Sequence, residues 1–236
     1  MTKMTVQEFQ DELHTAYQGD DSTPDTTDTE WTVRLRLLWA SIREWASEEG
    51  ILWNELFTTL QDQGVGAGTG DKTVLTATLD YDCPDNFDFL AGFVRTGSSG
   101  NYAYWKVLKP ERSEQFANEA MQACYITGNS STGYVLHFMQ QPTVGDSIDY
   151  PYYKQPAMPE ETTDVIEMSD PLFALYHCLS KMHEIDGAGA RSTKAFRQAG
   201  AKLRGMKIRN IMPVFLQDNQ VPDRQQDAEG GGGFGE

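Results

Sequence analysis

Residues 31–45 read Trp31-Thr32-Val33-Arg34-Leu35-Arg36-Leu37-Leu38-Trp39-Ala40-Ser41-Ile42-Arg43-Glu44-Trp45, and the spacing of their apolar side chains predicts a helix with two apolar faces. Trp31, Leu35, Leu38, Ile42 and Trp45 fall within an arc of about 80° when each residue turns the helix by about 100°. That stripe is expected to be core. Val33, Leu37 and Ala40 lie on the opposite side, an apolar surface that a surface helix of a monomer does not need. The helix therefore belongs in the centre of a bundle or at a contact between subunits. Thr27 and Glu30, three residues apart, predict a capping box at its start.

Working towards the N-terminus, Thr5 and Glu8 form a second capping-box pattern, with Met4 and Phe9 at the staple positions. Val6, Phe9, Leu13, Ala16 and Tyr17 then trace one buried stripe, and the turn formers and Pro24 between Gly19 and Asp28 end that helix. Towards the C-terminus, Leu52, Trp53, Leu56, Phe57 and Leu60 predict a third helix after Gly50.

Gly64-Val65-Gly66-Ala67-Gly68-Thr69-Gly70 has the composition of a hinge, and beyond it the hydrophobic period changes from helical to alternating. Strands are expected at 72–81, 89–96, 101–108, 124–127, 134–139 and 148–154. The hairpin loops would be 96–100 and 128–133, with a turn at 142–146 and a short helix within 110–120. Helical signals return at Ser169-Asp170-Pro171, where Asp170 is the expected cap and Pro171 stands in the first turn. Leu172, Leu175, Tyr176, Leu179 and Met182 follow as its stripe. After Gly187 and Gly189 a last helix over 191–206 is expected to turn Phe196, Ala199, Leu203 and Met206 inward. Lys194, Arg197, Lys202, Arg204 and Arg209 would face outward, and Pro213 would end the helix.

The fold class read from this order is α+β: a helical bundle formed by the N- and C-terminal segments, an inserted antiparallel β domain, and an extended C-terminal arm. The divisions are 1–63 and 165–212 for the helical body, 64–164 for the hinge and insertion, and 213–236 for the arm. The arm is polar after Gln217 and closes on Gly230–Gly233 and Phe234, with too little apolar surface to fold alone.

Composition narrows the function classes. The chain has 236 residues, 39% hydrophobic and 11% aromatic, enough to bury a core, and no apolar run near the roughly 18 residues of a membrane span. The first residues have neither signal- nor transit-peptide character. Cys83, Cys124 and Cys178 are odd in number and far apart, which disfavours a disulfide framework or a thiolate metal site and suits a reducing compartment. A net charge of −16 opposes wrapping of nucleic acid, which needs clustered cations in excess. The charge is unevenly placed. Residues 1–30 hold Glu8, Asp11, Glu12, Asp20, Asp21, Asp25, Asp28 and Glu30 against Lys3, whereas Arg191 to Arg209 contains seven cations and no acid. The two ends are expected to attract each other.

Chemical motifs are sparse. His14, His137, His177 and His183 form no metal pair at helical spacing, so no metal or cofactor is expected. The glycine-rich hinge precedes a strand rather than a helix, and Gly70-Asp71-Lys72-Thr73 places Asp71 where a phosphate loop has its last glycine, so a linker is the better reading. Asp80, Asp82, Asp85 and Asp88 around Pro84 lack the pattern of a calcium loop and read as a solvated acidic turn. A hydrolase in the insertion would rest on that turn alone. No Gly-x-Ser-x-Gly elbow occurs. The basic last helix has a continuous apolar stripe and an acidic partner helix in the same chain, which favours a paired or solvated face over a DNA reader.

Three stretches carry a resemblance. They are Trp31 to Trp39 running through Glu44-Trp45 to Leu52-Trp53-Asn54-Glu55-Leu56-Phe57, then Gly145-Asp146-Ser147-Ile148-Asp149-Tyr150 leading into Tyr152-Tyr153-Lys154, and finally Thr163-Asp164-Val165-Ile166-Glu167-Met168-Ser169-Asp170-Pro171-Leu172-Phe173. Together they resemble the head-to-tail adaptor (connector) proteins of tailed bacteriophages. The resemblance implies a non-enzymatic virion protein of the neck, made in the host cytoplasm. It would form a dodecameric ring with copies of itself between the portal protein and a tail or nozzle protein. Genomic DNA would only pass through the channel, and no membrane would be involved. Val33, Leu37, Ala40, Arg197 and Arg204 are the expected subunit or portal contacts, with Phe215 and Phe234 as apolar anchors of the arm. The alternative is a receptor- or carbohydrate-binding tail module that uses Tyr102, Tyr104, Trp105, Tyr150, Tyr152 and Tyr153.

Overall fold

The computed structural model describes residues 3–62, 70–98, 100–114 and 121–218, the last eight of these by their backbone alone. Helix α1 (Val6–Gln18) starts at the expected capping box: Thr5 Oγ1 accepts the Glu8 amide at 3.2 Å, and the Glu8 carboxylate accepts the Thr5 amide at 2.8 Å. Helix α2 (Thr29–Ala46) does not start as predicted. Asp28 is its N-cap, without a side-chain bond to the helix, because the Asp28 carboxylate accepts the Asp25 amide and Glu30 turns to Arg34 instead of capping. The α2 stripe is as read, with Trp31, Leu38, Ile42 and Trp45 buried.

The third helix is absent. A 3-10 turn (Asn54–Leu56) leads into strand β1 (Phe57–Thr59), and the chain passes here from one core to the other. Trp53 and Leu56 are buried among the helices, where the Trp53 indole donates to the Trp45 carbonyl at 2.8 Å; Leu60 is buried among the strands. The helical spacing of 52–60 is overridden by β-branched Thr58 and Thr59 pairing with Tyr152 and Pro151.

The remaining strands are β2 (Asp80–Asp82), β3 (Phe87–Leu90), β4 (Val94–Ser98), β5 (Asn101–Val107), β6 (Ala123–Asn129), β7 (Gly133–Phe138), β8 (Ser147–Asp149) and β9 (Pro151–Lys154). They form a curled six-stranded half-barrel in the order β2-β7-β6-β5-β4-β8 and a three-stranded sheet β1-β9-β3. This corrects the fold class. The chain is α+β but rich in sheet, and it is not a helical bundle carrying a small insertion. Nor is the sheet purely antiparallel, since β5 and β6 pair in parallel through Lys106–Ala123 and Val107–Cys124. The short helix α3 (Pro110–Ser113) lies in the crossover between them.

Two of the expected strands divide. The run 148–154 changes sheet at buried Tyr150, so that β8 pairs with β4 while β9 pairs with β1 and β3. The run 72–81 is broken at Ala77, which takes a left-handed backbone (φ 58°), leaving Asp80–Asp82 as the strand. Both hairpins fall where expected. Gly97 (φ 144°) and Gly128 (φ 110°) occupy conformations in which a Cβ would meet a carbonyl oxygen at 2.1 Å, so only glycine fits.

Helices α4 (Leu172–Ile185) and α5 (Gly189–Asp218) complete the helical layer. Both α2 and α5 pack on α4, whose Phe173, Ala174, Leu175, His177, Cys178, Leu179, Ser180 and Met182 are all buried. Pro213 does not end α5. The backbone stays helical to Asp218, with strong helix formers Met212 and Leu216 beside the one hydrogen bond that proline removes. The hinge residues 64–69 and the arm beyond Asp218, Phe234 included, lie outside the described residues.

Candidate functional site

The residues expected to make contacts occupy two separate helix faces. On α2, Val33 is 44% exposed and Ala40 is exposed, but Leu37 is half-buried against the helical core, so the surplus apolar face is narrower than its spacing implies. On α5, Arg197 and Arg204 are exposed and seven residues apart, which puts them on one face. Phe215 stands in the last turn of α5. Phe196 reverses its expected direction. It is 57% exposed, while Ala195, Ala199 and Met206 face inward, because small residues let α5 approach α4 closely.

A cleft of about 470 Å³ opens where α1, the start of α4 and α5 converge, lined by Lys3, Glu8, Glu12, Asp170, Lys202 and Arg209. Here the acidic and basic ends of the chain do face each other. Asp170, the expected cap of α4, gives its backbone carbonyl to the Phe173 amide at 3.0 Å and no side-chain cap. Its carboxylate lies 3.3 Å from Arg209 and 3.7 Å from Lys202, tying α5 to the first turn of α4. Both cations line the cleft while remaining open to solvent, Lys202 half-buried and Arg209 exposed. Lys207 is likewise paired, with Glu48 after α2.

The three-stranded sheet presents an aromatic row that joins Phe57, expected in a helix, to Phe89 and Tyr153, expected in separate strands. Phe57 and Phe89 both register with Tyr153, at ring-centroid distances of 5.6 and 4.9 Å, and are 46% and 39% exposed. The tyrosines of the alternative reading are not one platform. Trp105, Tyr150 and Tyr152 are buried in the sheet core, and Tyr102 and Tyr104 remain exposed, with the Arg95 guanidinium 4.6 Å over the Tyr102 ring.

Histidines that look scattered in sequence acquire partners in the fold. On the outer face of the half-barrel, His137 Nδ1 lies 2.7 Å from Asp80 Oδ1 and Nε2 lies 2.6 Å from Thr127 Oγ1, with Tyr125 stacked on the ring. An ionised Asp80 accepts the Nδ1 proton, which leaves Nε2 to accept from the hydroxyl. The arrangement clasps β2, β7 and β6 and draws Asp80 out of the acidic turn. Between α2 and α4, His177 Nδ1 lies 2.8 Å from Ser41 Oγ and Nε2 lies 3.0 Å from Glu44. Here Ser41 is fully buried and also 3.4 Å from Cys178 Sγ. Burial lowers the His177 pKa, with Glu44 opposing, so the neutral ring donates to Glu44. A third contact links α1 to α2: fully buried Arg34 donates to His14 Nδ1 at 3.0 Å, and His14 Nε2 meets Asp20 at 2.6 Å. Hydrogen bonds from Ser22 and then from His14 hold the Asp20 carboxyl at about 2.

The thiols are unsuited to nucleophilic work. Burial pushes Cys83 to about 11 and Cys124 and Cys178 to about 12, so all three are protonated near neutrality. Among the described residues no group of three or more His, Cys, Asp or Glu is placed to hold a metal ion, and no helix is long and apolar enough to cross a membrane. Compared with protein-family models and with curated proteins, the chain matches none.

Proposed function

We propose that the chain is a non-enzymatic assembly subunit, a virion head-to-tail adaptor that forms a ring between portal and tail. The observation that carries this reading is the outward face of α5, where Arg197, Arg204 and Ile208 are exposed together, with exposed Phe196 on its flank, on a chain of net charge −16. Apolar and arginine side chains grouped on one face are the composition of contact surfaces. Exposed Phe57 and Phe89, on either side of half-buried Tyr153, supply a second apolar surface on the sheet side. An acidic channel wall also lets DNA slide without adhering. The resemblance in residues 31–57, 145–154 and 163–173 supports a position at the neck, and the segment from Pro213 onward, whose first six residues continue α5, is the one proposed to meet the portal.

Imaging of assembled particles with an antibody fragment raised against this chain tests the reading. Density in a ring at the neck is the expected result. Labelling of the tail tip would instead favour the receptor-binding alternative, for which exposed Tyr102 and Tyr104 are the remaining support.

A further inference from the structure

We infer that the outward face of α5 docks onto the acidic segment 20–30 of a second copy of this chain, a contact that rests on the assembly reading and specifies its geometry. Helix α5 sorts its cations by direction. Lys202 and Arg209 are paired with Asp170, and Lys207 with Glu48. By contrast Lys194, Arg197 and Arg204 are exposed and make no ion pair among the described residues. At about 100° per residue, Arg197, Arg204 and Ile208 share an arc of about 40°, and Ile208 is 59% exposed. Exposed Phe196 lies about 80° to one side of that arc, on the flank of the helix. The face is thus a basic strip with apolar anchors, on a chain that is otherwise strongly acidic.

The complement is on the same chain, and no ion pair joins it to the strip among the described residues. Asp21, Asp25 and Asp28 in the connection from α1 to α2 are exposed and have no cationic partner among the described residues. Exposed Val33 follows one turn further on. Helix α4 packs between α2 and α5, and the unpaired arginines point away from the Ala195, Ala199 and Met206 stripe that meets the helical core. The basic strip and the acidic segment are therefore satisfied between chains. Two different patches make a heterologous contact, which propagates from copy to copy and closes into a ring when the rotation permits. A nucleic acid is the poorer occupant, since one basic strip on an acidic body lacks the continuous cationic surface that phosphate binding uses.

The experiment uses the full chain and sedimentation velocity across a concentration series, with circular dichroism to confirm that every variant is folded. The charge-reversal pair Arg197→Glu/Arg204→Glu and the opposite pair Asp21→Lys/Asp25→Lys are each expected to weaken self-association by about tenfold or more. An equimolar mixture of the two is expected to restore assembly with the variants alternating, because each strip then meets a segment of opposite charge on the other variant. Raising salt from about 0.05 to 0.5 M should weaken the wild type in the same sense. Assembly of the wild type that both reversals leave unchanged overturns this interface while leaving the assembly reading intact. A wild type that stays monomeric over the whole series overturns the interface too. So does a duplex oligonucleotide whose binding is abolished by Arg197→Glu/Arg204→Glu while self-association is not.

Discussion

The Asp170 carboxylate lies 3.3 Å from the Arg209 guanidinium, 39 residues away in sequence, and so joins the start of α4 to α5. The pair is partly exposed, with side chains 18% and 45% accessible, and is screened accordingly. Asp170→Asn is expected to cost about 0.5–1.5 kcal/mol in urea unfolding, falling with added salt. A double-mutant cycle with Arg209→Ala should return a coupling of about 0.5 kcal/mol. Zero coupling with an undiminished single-mutant cost would mean that Asp170 acts through the helix start instead.

His177 makes stability depend on pH. Its folded pKa is lowered, chiefly by burial, whereas the unfolded ring titrates at its ordinary value. Between those two values the unfolded chain binds a proton that the folded chain refuses, so stability is full above about pH 6.5 and is lost as pH falls towards the folded pKa. Urea midpoints measured from pH 7 downward should show this decline, and His177→Gln should flatten it.

Gly128 is held in a conformation closed to other residues. Gly128→Ala sets a Cβ 2.1 Å from the Gly133 carbonyl oxygen and is expected to destabilise by about 1–3 kcal/mol or more, read by thermal unfolding. The exposed glycine in the same loop, Gly133 (φ 83°), has no neighbour within 4 Å of an added Cβ. Gly133→Asn should therefore be milder, since asparagine tolerates the left-handed region.

Cys178 is sealed. With its thiol pushed to about 12 by burial, it should resist a water-soluble disulfide reagent in the native state and react at once in denaturant. Native labelling at the rate of an exposed thiol would contradict the packing of α2 on α4.

Range of interaction explains much of what the sequence made legible, although the equally local Thr27–Glu30 box, Asp170 cap and Pro213 stop did not form. Thr5 and Glu8 are three apart, and their capping box was plain; the Trp31–Trp45 stripe and the glycine hairpins were equally local. At 52–60 the same apolar spacing suited a helix or a strand crossing between cores, and the distant partner Tyr152-Tyr153 decided it. Phe196 and Ala195 are neighbours in sequence, so an inward arc drawn through one or the other differs by a single residue; close packing on α4 chose the alanine. Asp80 and His137 are 57 residues apart, and only the pairing of β2 with β7 brings them together. Of the contact residues, the exposure of Val33, Ala40, Arg197 and Arg204 agrees with the faces read from spacing, while Leu37 is claimed by the core.

The mass of the full chain in solution, alone and after mixing with portal protein, tests the central claim most directly. The account predicts a discrete multimer that joins the portal ring, and weaker joining when residues 213–236 are removed. A chain that stays monomeric with portal present, and is unaffected by that truncation, would contradict it.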